Sequence, residues 1–272
     1  MDKYFLSFAD KRFHKSLKRI RKQAIDFGGF NQILIFNENN LEAYFRSKFS
    51  KFLLPYTFYL CAWKPQVILQ AFERMALGDI LLYADVGCHI NVNGKKRFQE
   101  YCSMVENSSS GILATTFDSS MPEKSWTNGD TFDYFNCRHN KSITKSPQIQ
   151  ATTILIQKRE STISFLKKWV EVFEVAPKLA DRQNTNSSNL AGYIEHRSDQ
   201  SFFSILAKIE KVELISANEI QGSANWETEM IHFPIWAKRD RILDDGFWIH
   251  PTPGRLLLLS TRWLKKVLKK QK

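Results

Sequence analysis

The chain has 272 residues, of which 43% are hydrophobic, and carries a formal net charge of +11. That is enough for one large α/β domain or two small ones with a packed core, and the cationic excess asks for an acidic partner: nucleic acid, a nucleotide's phosphates or an anionic membrane surface. The four cysteines, Cys61, Cys88, Cys102 and Cys137, show no CxxC pairing, which argues against a zinc knuckle or a disulfide framework, and no apolar run approaches the roughly eighteen residues of a membrane span.

Tyr4 to Ala9 reads as a first strand, and Phe13, Leu17, Ile20 and Ala24 place an apolar stripe on the helix after it. Lys11, Arg12, Lys15, Lys18, Arg19, Arg21 and Lys22 crowd the same stretch. Gly28-Gly29 stop the helix, and Ile33 to Phe36 forms a second strand that ends in the polar turn Asn37 to Asn40. A further helix begins at Pro65, which at the first helical position loses nothing by lacking an N–H; Val67, Ile68, Ala71, Phe72 and Met75 recur at helical spacing, and Gly78 ends it.

Ile80 to Ala84 is apolar on both faces, as expected of a central strand covered by helices on either side. Asp85 follows at once. Ligands in open α/β sheets bind beyond the carboxyl ends of the strands, so this acid is placed for chemistry, unless it caps a turn with Gly87. Three strands separated by two helices give β-α-β-α-β within the first ninety or so residues, the pattern of a parallel sheet. Neither GxGxxG nor GxxxxGK[ST] occurs, which argues against a dinucleotide enzyme or a P-loop ATPase.

Gly111 to Phe117 reads as another strand, Asp118 to Asn128 as a polar loop and Thr153 to Ile156 as a further strand. An amphipathic helix runs through Phe165, Leu166, Trp169, Val170 and Phe173. Polar composition between Lys178 and Asn189 marks a mobile surface loop. Ser198 or Asp199 is placed to cap the helix Ser201 to Lys208. Past Pro253-Gly254, Leu256, Leu259, Trp263, Leu264, Val267 and Leu268 share one helix side and Arg262, Lys265, Lys266, Lys269 and Lys270 the other. That is an interfacial helix for an anionic lipid surface or a terminal helix docked on the core.

Several segments in order, Trp63-Lys64-Pro65, Gly78 to Tyr83, Asp85-Val86-Gly87-Cys88, Ser125-Trp126-Thr127 with Asp130, Gln148, and His196-Arg197-Ser198-Asp199-Gln200-Ser201, resemble a bacterial group of GT-A-type glycosyltransferases of surface polysaccharide and lipopolysaccharide synthesis. The resemblance spans about Tyr4 to Arg241. It implies an α/β fold of one GT-A-like domain, residues 1–254, with a mostly parallel central sheet flanked by helices, followed by the amphipathic helix 255–272. It also implies a nucleotide-sugar site at the carboxyl ends of the strands and a DxD-like motif for a divalent metal, Mn²⁺ or Mg²⁺. Here that motif reads Asp85-Val86-Gly87, so the second acid is missing.

Asp199-Gln200 looks like the DQD element of glycogenin-like and lipooligosaccharide galactosyltransferase enzymes, which makes the pair the candidate catalytic residues facing donor sugar and acceptor. Asp85, Lys64, Ser7, Arg12 and Gly87 are the candidates for holding the donor nucleotide. Asp130, with Asp133 beside it, and Trp126 are candidates for the acceptor side. His250 joins Asp85 as a candidate metal ligand, and His232 is a weaker one.

The expected activity is transfer of a hexose from a nucleotide-diphosphate sugar, a UDP-sugar in first place, to a membrane-associated glycan, with the 178–197 loop closing over the donor. The protein is expected to be cytoplasmic and peripheral on the inner face of the cytoplasmic membrane, held through 255–272. Nucleic acid is not an expected partner, because the cations segregate to single helix faces and do not interleave with aromatics. Two rival readings stand beside it: a catalytically inactive scaffold of a polysaccharide assembly complex, which the missing acid at Gly87 supports, and a basic nucleic-acid-binding protein that uses the two basic helices.

Overall fold

The computed structural model describes residues 1–50, 61–180, 186–221, 225–242 and 248–249, with backbone alone at 241–242 and 248–249. The first half holds strand β1 (Lys3–Phe8), helix α1 (His14–Phe27), β2 (Gln32–Phe36), α2 (Ala43–Phe49), α3 (Trp63–Phe72), β3 (Ile80–Ala84), β4 (His89–Ile90), α4 (Lys95–Asn107) and β5 (Ile112–Thr116). Then follow α5 (Glu123–Trp126), α6 (Gly129–Tyr134), α7 (Lys141–Thr144), β6 (Ile149–Gln157), α8 (Glu160–Val175), α9 (Asp199–Ile209), β7 (Glu213–Ser216), β8 (Ile235–Trp236), β9 (Arg241–Ile242) and β10 (Trp248–Ile249).

Six strands form the central sheet in the order β2-β1-β3-β6-β5-β7. β1 runs parallel to β2 and β3, as the β-α-β-α-β pattern predicts, and β5 runs parallel to β7. β6 is antiparallel to both of its neighbours. Five strands therefore end at one edge of the sheet, and β6 begins there.

Period-2 alternation divides the strands between two cores. Leu6, Phe8, Leu81, Tyr83, Ile154 and Ile156 face α2, α3, α8 and α9, while Phe5, Ile80, Leu82, Ala84 and Leu155 face α1 and α4. Ile80 to Ala84 is buried throughout, the consequence of being covered on both faces. Trp169 on α8 has no exposed surface and packs against Phe203 of α9, with ring centroids 4.9 Å apart. This contact docks α9 on the sheet; truncating such a ring costs about 3–5 kcal/mol.

Helix ends follow local chemistry with some differences from the sequence reading. Gly28 caps α1 in the left-handed region at φ 62°, as the glycine pair predicts. α3 ends at Phe72 and not at Gly78; Met75 and Asp79 continue in turns, and Gly78, at φ 93°, reverses the chain into β3. The polar stretch 118–128 contains the short helix α5, because Glu123 is satisfied internally as described below. The strand read over Thr153 to Ile156 extends from Ile149 to Gln157. The expected helix 255–272 and His250 lie outside the described residues, and among the described ones no helix is long and apolar enough to cross a membrane.

Candidate functional site

At the carboxyl edge of the sheet, the chain turns sharply after β3, with the Cys88 N–H donating to the Asp85 carbonyl at 2.9 Å. Opposite this turn, α9 opens with Asp199. Lys64, in the first turn of α3, reaches between them. Its ammonium lies 2.9 Å from Asp199 Oδ2 and 3.3 Å from Asp85 Oδ1, and donates to the Ala151 carbonyl at 3.0 Å.

Lys64 is buried, whereas the side chains of Asp199 and Asp85 are 14% and 37% exposed. Burial by itself would lower the lysine's pKa; Asp199 and Asp85 outweigh it and raise the value well above the ordinary one. The ammonium is therefore a fixed positive charge holding two carboxylates at one place. It is not an open phosphate ligand, as its position beside a helix start suggests from sequence, because both charge partners are internal.

The Tyr83 hydroxyl donates to Asp85 Oδ1 at 2.6 Å. Burial first, then Asp85, pushes the phenol's pKa well up, so it stays a donor at every ordinary pH. Asp85 Oδ1 thus has two partners, whereas Oδ2 has none among the described residues and the side chain is part-exposed. Sequence reasoning missed Tyr83, although its place two residues before Asp85 on the same strand face was the available signal.

The turn is gripped from below. Arg19 of α1 donates to the carbonyls of Val86 at 2.6 Å and Cys88 at 3.2 Å, and pairs with Asp240 at 3.3 Å. His89 contacts Arg19 and lies 3.1 Å from Asp240, with Gln23 on its other ring nitrogen at 3.0 Å. Burial, and then the Arg19 cation, lowers the His89 pKa to about 4. The Gly87 carbonyl accepts from the Asp240 N–H at 2.9 Å. Gly87 therefore contributes backbone to the turn and no ligand. Arg19, counted in the basic cluster by sequence, turns inward and is the residue that sets this turn.

Ser198, immediately before Asp199, adopts φ 48°, ψ −119°, a region that a residue with a Cβ occupies at a cost of about 1–3 kcal/mol. Its hydroxyl makes no cap; it donates to the Ala180 carbonyl at 2.9 Å, replacing the N-cap that the sequence suggests. Gln200 donates to Gln148 Oε1 at 2.7 Å. Gln148 in turn donates to Glu123 and to the Trp126 carbonyl. Glu123, fully buried, meets Lys208 at 2.6 Å and accepts from Thr127 and Ser204. Burial lowers the Lys208 pKa, against the pull of Glu123. Gln200 is thus the outer end of a buried polar chain.

The other candidates are engaged by partners other than the two carboxylates. Ser7 is buried, and its hydroxyl is spent on the Ala84 carbonyl at 2.8 Å; it ties β1 to the end of β3 and has no face for a nucleotide. Arg12 lies beyond β1 and pairs with Asp10 through Nε and Nη2 at 2.8 and 2.7 Å. Asp130 accepts the backbone N–H groups of Asn186 and Ser187 at 2.7 and 2.6 Å, and Asp133 pairs with Arg138 at 2.5 Å.

The polar segment 186–197, read as mobile in its first part, is tied down. The Asn189 side chain accepts from Gly129 N–H, and the N–H groups of Ile194 and Arg197 donate to the carbonyls of Ser125 and Trp126. The Arg197 guanidinium sits 4.0 Å over the Trp126 ring, forming a flat platform next to the start of α9. His232 is exposed and distant in sequence from all of these.

For a divalent cation, the described residues offer no group of three His, Cys, Asp or Glu side chains. What they offer is Asp85 Oδ2. Mg²⁺ is commonly held by one or two carboxylates together with substrate phosphates, so this oxygen fits an ion that arrives with a diphosphate, whereas the space between the two acids is already taken by the Lys64 ammonium.

No family model matches the chain, and no curated protein matches it. Among solved structures, a glycosyltransferase involved in the glycosylation of the major capsid of PBCV-1 superposes with a TM-score of 0.46 at 11% identity, covering 87% of this chain and 93% of that one. Mouse xyloside xylosyltransferase 1 gives 0.46 at 12%, covering 87% and 97%. The galactosyltransferase LgtC in complex with donor and acceptor sugar analogues gives 0.42 at 13%, covering 86% of each chain.

Proposed function

We propose that the chain is a glycosyltransferase that moves a sugar from a nucleotide-diphosphate donor, a UDP-sugar by preference, to a glycan acceptor anchored in a membrane, such as a lipopolysaccharide or capsule precursor. The observation that supports this best is the meeting of Asp85 and Asp199 on the single ammonium of Lys64 at the carboxyl edge of the sheet. Two carboxylates held at one place by an internal cation can grip sugar and ribose hydroxyls without searching for them, and such pre-positioning is where transfer enzymes gain much of their rate.

In transfer, the bond from the anomeric carbon to the diphosphate oxygen breaks, a bond to the acceptor oxygen forms, and the acceptor's proton must leave. Asp199 is assigned to the reacting sugar or to that proton. Gln200 is fixed beside it by Gln148. Asp85 presents Oδ2 to a ribose hydroxyl or to a divalent ion; when bound, such an ion would neutralise charge on the departing diphosphate. Lys64 and Tyr83 keep Asp85 in place. The Trp126–Arg197 platform, on the side of α9 that Asp130 braces through 186–187, is assigned to the acceptor.

The test is a thermal-shift series with UDP-, GDP-, CMP- and dTDP-sugars, with and without Mn²⁺, followed by turnover of whichever donor stabilises the protein. Stabilisation by one nucleotide class that Asp199→Asn and Asp85→Asn both abolish is expected. Absence of any shift or turnover across the panel would leave the inactive scaffold as the better account.

A further inference from the structure

Helix α1 buries Leu17, Ile20, Ala24 and Phe27 and turns the opposite face outward. On that face Lys15, Lys18 and Lys22, spaced at i, i+3 and i+7, form one exposed row, with Arg21 beside it and Lys11 exposed in the short turn before the helix. Asp26, paired with Lys22 at 2.5 Å, is the one exposed acid on the helix. A solvated helix face usually mixes both signs at i, i+4 spacing; this one has that single pair and otherwise cations alone.

Two exposed apolar side chains flank the C-terminal end of α1, Ile25 on the helix itself and Val92 on the segment packed beside Gln23. Ile25 is 48% exposed and Val92 44% exposed. Val92 is carried to α1 by its neighbours, since the Ile90 N–H donates to Gln23 and the Lys95 ammonium lies beside Gly28. Exposed Lys95 and Lys96 continue the positive field there.

We propose that this face of α1, rimmed by Ile25 and Val92, is a docking surface for an anionic lipid bilayer. A bilayer rewards both halves of the pattern: cations among headgroups and apolar side chains entering the interface. A nucleic-acid backbone rewards the cations alone, and no Phe, Tyr or Trp of α1 is exposed for base stacking. The surface lies on the opposite face of the sheet from α3 and α9, which carry Lys64 and Asp199, so the inference stands or falls independently of the proposed activity.

The experiment uses the full chain and co-sedimentation with vesicles of phosphatidylcholine alone or mixed with phosphatidylglycerol. Binding is expected only with the anionic lipid, and it should weaken as salt rises, because exposed charges are screened within a Debye length. Replacing Lys15, Lys18, Arg21 and Lys22 together by Gln should lower the partition coefficient by about six-hundredfold, on a scale of about fivefold per cation, with an unchanged melting curve.

Ile25→Ser with Val92→Ser, which leaves every charge in place, should weaken vesicle binding several-fold and leave heparin and duplex DNA binding unaltered. Four Gln in the tail at Lys265, Lys266, Lys269 and Lys270 provide the parallel comparison. Wild-type vesicle binding by the α1 variant would overturn the proposal, as would binding to duplex DNA without binding to anionic vesicles.

Discussion

Lys64 meets Asp199 at 2.9 Å with both side chains largely out of water. Removing one member of a buried ion pair leaves the other uncompensated, which costs about 3–5 kcal/mol. Lys64→Met should therefore lower stability by about 3 kcal/mol in urea denaturation and reduce sugar-nucleotide turnover about a hundredfold through misplacement of Asp199. An equal loss of stability with unchanged turnover would separate the lysine from the chemistry.

Tyr83→Phe removes the donor to Asp85 Oδ1 without opening a cavity. The net value of such a bond is about 1–1.5 kcal/mol. The midpoint of unfolding should shift accordingly, and donor affinity should fall a few-fold by isothermal titration, since Asp85 keeps Lys64 alone as its anchor.

Ser198 distinguishes strain from bonding. Ser198→Ala keeps the unfavourable backbone and loses the bond to Ala180, costing about 1–2 kcal/mol. Ser198→Gly loses the same bond but relieves the strain, worth about 1–2 kcal/mol. The glycine variant should melt above the alanine variant, although glycine is the weaker residue in ordinary settings.

His89 gives a pH dependence with a definite sign. Its folded pKa, near 4, lies below the value of 6.5 it has when unfolded, so the unfolded chain binds the proton more readily. Stability is retained above about pH 6.5 and lost as pH falls toward 4, by up to about 3 kcal/mol. His89→Gln should flatten this part of the stability profile relative to wild type. Parallel profiles would show that the carboxylates alone carry the acid sensitivity.

The buried Glu123–Lys208 pair makes a similar prediction away from the carboxylate cleft. Glu123→Gln leaves Lys208 without its counter-charge and should cost about 3 kcal/mol or more by denaturation, with a smaller effect on donor binding transmitted through Gln148 and Gln200.

Strand and helix positions were legible because burial imposes a period, and Ile80 to Ala84 is read correctly as covered on both sides. The direction of β6 was not, because alternation looks the same in a strand read either way. The convergence of Asp85 and Asp199 came from motif order, not spacing. The inward placement of Lys64 and Arg19 was not legible, and Glu123 was not singled out at all, for one reason: a charged residue is ordinarily solvated, and only its distant partner, Asp199, Asp240 or Lys208, makes the interior tolerable. Ser7 has no pattern at all that separates a hydroxyl buttressing a strand from one exposed at its end.

The Lys64–Asp199 contact joins an early helix to a late one. During synthesis Lys64 emerges long before α9, so the interior receives this ammonium with Asp85 as its sole counter-ion until nearly the whole described chain is made. Long-range closure of this kind is slow. The site is then among the last parts of the molecule to acquire its shape, and a ribosome-bound chain halted before residue 199 would hold the Lys64–Asp85 pair without the cover of α9.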